Sequence, residues 1–180
     1  SLLWGASFLF LRLLVLDGLE PLQIVSIRMI LAAVFIAPFF IRKMKKLSFY
    51  DHGFSFLLIG VLNTALPFTL FAYASVSLGA GSLSILQATV PILTALILFT
   101  LYKGEFSYFK LSGVMIGFAG LFLLVGPSGN LDLFASILCV VASLSYAIAG
   151  VYLAKTPARI SNSFIGMGSI IVGAFLMAPF

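Results

Sequence analysis

Seven long apolar stretches follow one another along this chain, at roughly 1–16, 21–41, 54–77, 80–102, 109–126, 132–153 and 160–180. They are continuous rather than alternating, so they predict α-helices and not the alternating ten-residue strands of an outer-membrane barrel. A helix needs about 20 residues to cross the hydrocarbon core. The second, third, fourth, sixth and seventh stretches meet that length, the fifth is shorter and glycine-rich, and the first is clipped at its start. The polar connections Asp17–Glu20, Ser77–Gly81, Tyr102–Phe109 and Gly126–Asp132 are short, which makes successive helices antiparallel. The expected fold class is an all-α membrane protein, a helical bundle.

The charges sort by side. Connections after the second, fourth and sixth stretches carry Arg42, Lys43, Lys45, Lys46, Lys103, Lys110, Lys155 and Arg159. Those after the first, third and fifth carry Asp17, Glu20 and Asp132 and no Lys or Arg. Basic loops stay on the cytoplasmic face. The expected placement is therefore multi-pass in a bacterial inner membrane, with a cytoplasmic N-terminus.

Composition sharpens this. Of 180 residues, 62% are hydrophobic and 8% charged, whereas a soluble domain carries about a quarter charged residues. The mean hydropathy is +1.24. A net charge of +5 arises from loop clusters, the densest being Arg42–Lys46. That is a topology signal rather than a nucleic-acid surface, so no nucleic-acid partner is expected. Cys139 is the single cysteine and sits in an apolar run, so no intrachain disulfide, metal or cofactor is expected. With no initial Met and an end in mid-pattern, the chain reads as truncated at both ends, and its first stretch as a clipped transmembrane helix rather than a signal peptide.

A repeat is visible. Ser26–Phe39, SIRMILAAVFIAPF, aligns with Met167–Phe180, MGSIIVGAFLMAPF, at five identities in fourteen, ending in a shared Ala-Pro-Phe. Upstream, LLWGASFLFL lies on LSYAIAGVYL after a one-residue gap, with Trp4 against Tyr146. The period is five helices. Five is odd, so the second copy enters the membrane inverted, a plan that recurs in secondary transporters.

Several stretches carry a resemblance to a known family: WGASFLFLR (Trp4–Arg12), SIRMILAA, IGVLNTALPFTLFAYAS (Ile59–Ser75), AGSLSILQATVPILTALI followed by YKGE, KLSGVMIGFAGLFLLVGP (Lys110–Pro127) and LCVVASLSYAIAGVYLAK. In order and spacing the chain resembles the EamA-type transporters of the drug/metabolite transporter superfamily. The resemblance covers the whole chain. It implies ten helices in two inverted five-helix halves. Residues 1–127 would be the first repeat and 128–180 the first two helices of the second. It also implies a substrate cavity near the membrane middle built from both halves.

Candidate site residues follow from polarity at membrane depth. Arg28 lies seven residues beyond Pro21, about 10 Å below the outer end of its helix. Arg12 lies at a similar depth, and two arginines at one level suit an anion such as a carboxylate. Snorkelling, or pairing with Asp17 or Glu20, is the alternative. Ser84, Gln87, Pro91 and Thr94 share a face of the fourth helix. Pro91 removes a backbone hydrogen bond there, as at the interrupted helices of carriers. The resemblance adds that Gln87 replaces a commonly smaller residue. Asn63, Thr64, Pro67 and Tyr73 mark the third helix, as site residues or as interhelical contacts. Ser143, Tyr146 and Gly150 share a face of the sixth. Trp4 suits an interfacial anchor by chemistry, and a cavity wall by the resemblance. The set taken as substrate-binding is Trp4, Arg28, Asn63, Tyr73, Gln87, Pro91 and Tyr146. Gly113, Gly117 and Gly120 suggest helix packing, Glu105 a structural role and His52 a surface position.

The expected function is a secondary transporter moving a small metabolite, amino-acid-like or otherwise polar or anionic, by alternating access and in the efflux direction. A non-transporting scaffold is the alternative. A membrane enzyme would need clustered nucleophiles or bases at membrane depth, and the sequence shows none. No Asp or Glu lies within a helix core, so proton coupling through these helices is not evident. The expected partners are a small solute and the lipid bilayer, with a homodimer left open.

Overall fold

The computed structural model describes residues 2–44, 53–101, 108–125, 132–155 and 162–180, and these are helical apart from short turns. The elements are α1 (Leu2–Leu16), α2 (Pro21–Met44), α3 (Gly53–Gly60), α4 (Leu66–Ala74), α5 (Ala80–Gln87), α6 (Val90–Leu101), α7 (Tyr108–Val125), α8 (Leu133–Lys155) and α9 (Asn162–Met177). A π-helical turn, Val61–Ala65, joins α3 to α4. Among the described residues four segments are long and apolar enough to cross a membrane: Pro21–Arg42, Gly53–Ala74, Ala80–Leu101 and Leu133–Lys155. In lipid no water is present to satisfy backbone amides, so an apolar run of this length closes its hydrogen bonds on itself as a helix.

Local chemistry sets the ends. Gly18 takes φ of +91°, where a side chain would be strained, and turns the chain from α1 to α2. Pro21 starts α2, where its missing N–H costs nothing. Asp132 caps α8, its Oδ1 accepting from Ala135 N–H at 3.0 Å.

The third and fourth apolar stretches are both interrupted midway, each at a proline. Pro67 has no N–H for the carbonyl of Asn63, and its ring crowds that carbonyl. The helix widens just before it, and Leu66 N–H reaches back five residues to Val61. Pro91 acts similarly on the carbonyl of Gln87. There α5 stops, Ala88 and Thr89 form a turn, and α6 begins at Val90. The same residue type thus gives a π turn in one helix and a break in the other.

Two buried clusters lie at opposite ends of the bundle. One joins α1, α2, α4, α5, α8 and the end of α9 towards the α1–α2 turn, through residues such as Phe8, Val25, Phe71, Leu83 and Cys139. The other joins α2, α3, α8 and α9 at the far end, through Phe40, Phe56, Ile59, Ala149 and Phe164. In it, Phe40 and Phe164 stack at 4.9 Å, and Phe56 meets both edge-on. Many large apolar side chains point outward, Phe35 and Phe175 being 75% and 81% exposed. So much outward apolar surface suits lipid and not water.

The glycine face of α7 has no packing role among the described residues, since nothing there lies within 4 Å of a methyl built at Gly113, Gly117 or Gly120. His52 and Glu105 lie outside the described residues.

Candidate functional site

Between the two clusters lies a cavity of about 820 Å³. Its wall draws on the middle of five passes: Arg28 and Ala32 from α2, Asn63 and Thr64 from the π turn, Gln87 and Pro91 at the α5–α6 break, Tyr146 from α8 and Ile170 from α9. Both proline-induced interruptions therefore face the same space. An unwound backbone is tolerated at membrane depth where it lines such a cavity.

The structure brings together Arg28, Asn63, Gln87, Pro91 and Tyr146 from the predicted set. Tyr73 is not with them: it is 44% exposed and does not line the cavity. Trp4 lies on α1, but its side chain is outside those described.

The Arg28 guanidinium stands over the Phe68 ring, 4.6 Å from its centroid. This holds the cation at the cavity wall by cation–π attraction. Tyr146 packs against Phe68 and Phe71, with centroids 6.5 and 6.4 Å away. Its Oη is buried without a hydrogen-bond partner among the described residues. Burying a hydroxyl with no partner costs about 1–3 kcal/mol. Among the described residues no carboxylate lines the cavity, and Arg28 gives its wall a positive charge. Phe68 escaped the sequence reading. Its only signal is position, next to Pro67 and one turn beyond Thr64.

Arg12 does something other than the sequence suggested. It joins neither Arg28, Asp17 nor Glu20 in a site. Its Nη1 donates to the carbonyl of Ser75 and, at 2.6 Å, to that of Val76. These carbonyls lie at the C-terminal end of α4, where the helix leaves acceptors unsatisfied and carries partial negative charge. Arg12 thus ties α1 to α4 at the end that holds the α1–α2 turn. Ser26 Oγ donates to Met177 O at 2.8 Å and ties α2 to the end of α9. Ser143 Oγ reaches Leu86 O at 3.0 Å and Ser145 Oγ reaches Leu62 O at 2.7 Å. Both serines on α8 satisfy carbonyls beside the two interruptions.

Apolar helices around a cavity that carries Arg28, Asn63 and Gln87 in a largely apolar wall define a multi-pass membrane protein. The EamA-like transporter family matches residues 1–126. The chain belongs to that family. It is similar to the uncharacterized transporter YoaV of Bacillus subtilis, 24% identical over 185 residues, covering 100% of the chain and 63% of the relative. It is also similar to an uncharacterized transporter of Archaeoglobus fulgidus, 28% identical over 190 residues, covering 99% of the chain and 63% of the relative. The chain thus spans less than two thirds of the length of these curated relatives. No solved structure matches it.

Proposed function

We propose that the full-length protein is a secondary carrier exporting a small polar or anionic metabolite, amino-acid-like in size, across the cytoplasmic membrane by alternating access. Residues 1–127 make its first repeat and residues 128–180 open an inverted second. The N-terminus is cytoplasmic, by the distribution of Lys and Arg. One observation carries the substrate class: Arg28 is held over Phe68 at the wall of a cavity that Tyr146 also lines and to which no described carboxylate contributes. A carboxylate accepts from the Arg28 guanidinium, and a charge-assisted hydrogen bond in a low-dielectric cavity is strong. Asn63 and Gln87 supply neutral polar contacts on the facing walls. Trp4 of α1 is a further substrate contact in this reading, and Tyr73 is not.

The test compares metabolites in the medium of cells carrying the full-length gene, lacking it, or carrying Arg28→Leu at matched expression. One anionic or zwitterionic metabolite is expected to fall on deletion and equally in Arg28→Leu. A fall on deletion alone removes Arg28 from the site. No change on deletion overturns export.

A further inference from the structure

We propose that Ser143 and Ser145 of α8 are positioning residues for the cavity. Each sets one of its two carboxamides, Gln87 and Asn63 respectively, through the main-chain carbonyl that precedes it. That these amides meet substrate rests on the carrier reading; how they are held does not.

The two interruptions are built on one pattern. LNTALP, Leu62–Pro67, and LQATVP, Leu86–Pro91, each run leucine, carboxamide, three residues, proline. In both, the carboxamide stands four residues before the proline, which has no N–H to return to that residue's carbonyl. Both carboxamide residues line the cavity. In both, the carbonyl one residue earlier accepts from a serine of α8. Ser145 Oγ donates to Leu62 O at 2.7 Å, and Ser143 Oγ donates to Leu86 O at 3.0 Å.

Local bonding leaves these carbonyls open to α8. In the π turn Leu66 N–H, the ordinary helical donor to Leu62, reaches Val61 instead. At the break Leu86 O takes Thr89 N–H at 3.2 Å and Thr89 Oγ1 at 2.6 Å beside the serine. Peptide planarity carries the hold to the amide. The carbonyl of Leu62 and the N and Cα of Asn63 lie in one rigid unit, as do the carbonyl of Leu86 and the N and Cα of Gln87. A serine that fixes the carbonyl therefore fixes the point from which the carboxamide side chain leaves. The following peptide unit cannot supply that restraint, because its carbonyl is the one the proline deprives of a donor.

Neither serine serves solvent or lipid, since Ser143 is 0% and Ser145 4% exposed. They stand two residues apart, about 200° around a helix, so α8 reaches the two interruptions from opposite sides. Tyr146, the next residue, lines the cavity itself. One helix thus supplies part of the wall and sets the amides on two others, and a shift of α8 moves all three together.

The test uses the full-length protein in its native membrane, with Cys139→Ala and any cysteine beyond these residues also changed to alanine. Gln87→Cys and Asn63→Cys are introduced singly as reporters. Their rates of reaction with methyl methanethiosulfonate are read as protection from a maleimide gel-shift. Ser143→Ala is expected to raise the rate at position 87 about three- to twentyfold, the range that one interhelical hydrogen bond spans in a membrane, and to leave position 63 unchanged. Ser145→Ala is expected to do the reverse. Ser143→Gly and Ser145→Gly, which also lack the hydroxyl, stand in for an alanine variant that does not reach the membrane. A merely structural loss would loosen both positions alike. The inference is overturned if either serine leaves its own position unchanged, or if both positions respond alike to each serine. None of these rates depends on transport, so failure here is separate from failure of the carrier reading.

Discussion

Gly168→Ala adds one methyl group where α9 crosses α3. Built on the backbone, that methyl lies 2.5 Å from Cδ1, 2.8 Å from Cε1 and 3.1 Å from Cγ of Phe56. Comfortable carbon–carbon contact is about 3.5–4.0 Å, so the ring must retreat by roughly 1 Å. It has little room to do so. Phe56 is fully buried, with the rings of Phe40 and Phe164 at 5.9 and 5.4 Å. Two effects oppose each other. Alanine improves on glycine in a helix interior by about 1 kcal/mol. Overpacking a close-packed core costs about 1–3 kcal/mol. The second wins because the obstructing atoms belong to a boxed aromatic ring and not to a flexible side-chain end. The expected net loss is up to about 2 kcal/mol, or several degrees in Tm at about 2–4 °C per kcal/mol. The assay is thermal unfolding of the full-length protein in detergent. The decisive form is a double-mutant cycle with Phe56→Leu, which removes the ring. In that background Gly168→Ala is expected to be neutral or slightly stabilising, giving a coupling of about 1–3 kcal/mol. A higher Tm for Gly168→Ala alone, or a cycle without coupling, would refute the reasoning.

Arg12→Met keeps the apolar stem and removes the donors to Ser75 and Val76 carbonyls. A loss of about 1–3 kcal/mol is expected in thermal or denaturant unfolding, and an unchanged stability would mean that lipid headgroups or water replace the contact. Ser145→Ala leaves the Leu62 carbonyl without its 2.7 Å donor. Interhelical bonds of this kind in membranes contribute about 0.6–1.7 kcal/mol, and a loss above that range would point to collapse of the π turn itself. Tyr146→Phe is expected to separate stability from function. Removing a buried hydroxyl that has no partner among the described residues leaves stability unchanged or raised, while the apparent substrate affinity in a transport assay falls about two- to tenfold for one lost hydrogen bond. Parallel loss of both would assign the hydroxyl a structural role.

Some of this protein was decided by its sequence alone. The apolar runs determined the helices, because a chain in lipid must satisfy its backbone within each segment. Pro67 and Pro91 marked where two of those helices are interrupted, and Arg28, Asn63, Gln87 and Tyr146 stood out as polar groups at membrane depth. The tertiary structure decided the rest. It gave Pro67 a π turn and Pro91 a break. It turned Tyr73 outward and sent Arg12 to the end of α4 rather than to Arg28 or an acidic loop. It supplied Phe68 as the ring beneath Arg28, and it gathered Phe56 and Ile59 of α3 with Phe164 and Ile165 of α9 in one buried cluster. The physical reason is common to all of these. A helix that is apolar on every side carries no periodic signal of which face turns inward. Its rotation is set by the neighbours it packs against, and those neighbours are distant in sequence: Arg12 finds its acceptors on α4, and Tyr146 finds the wall it shares with Arg28 on α2.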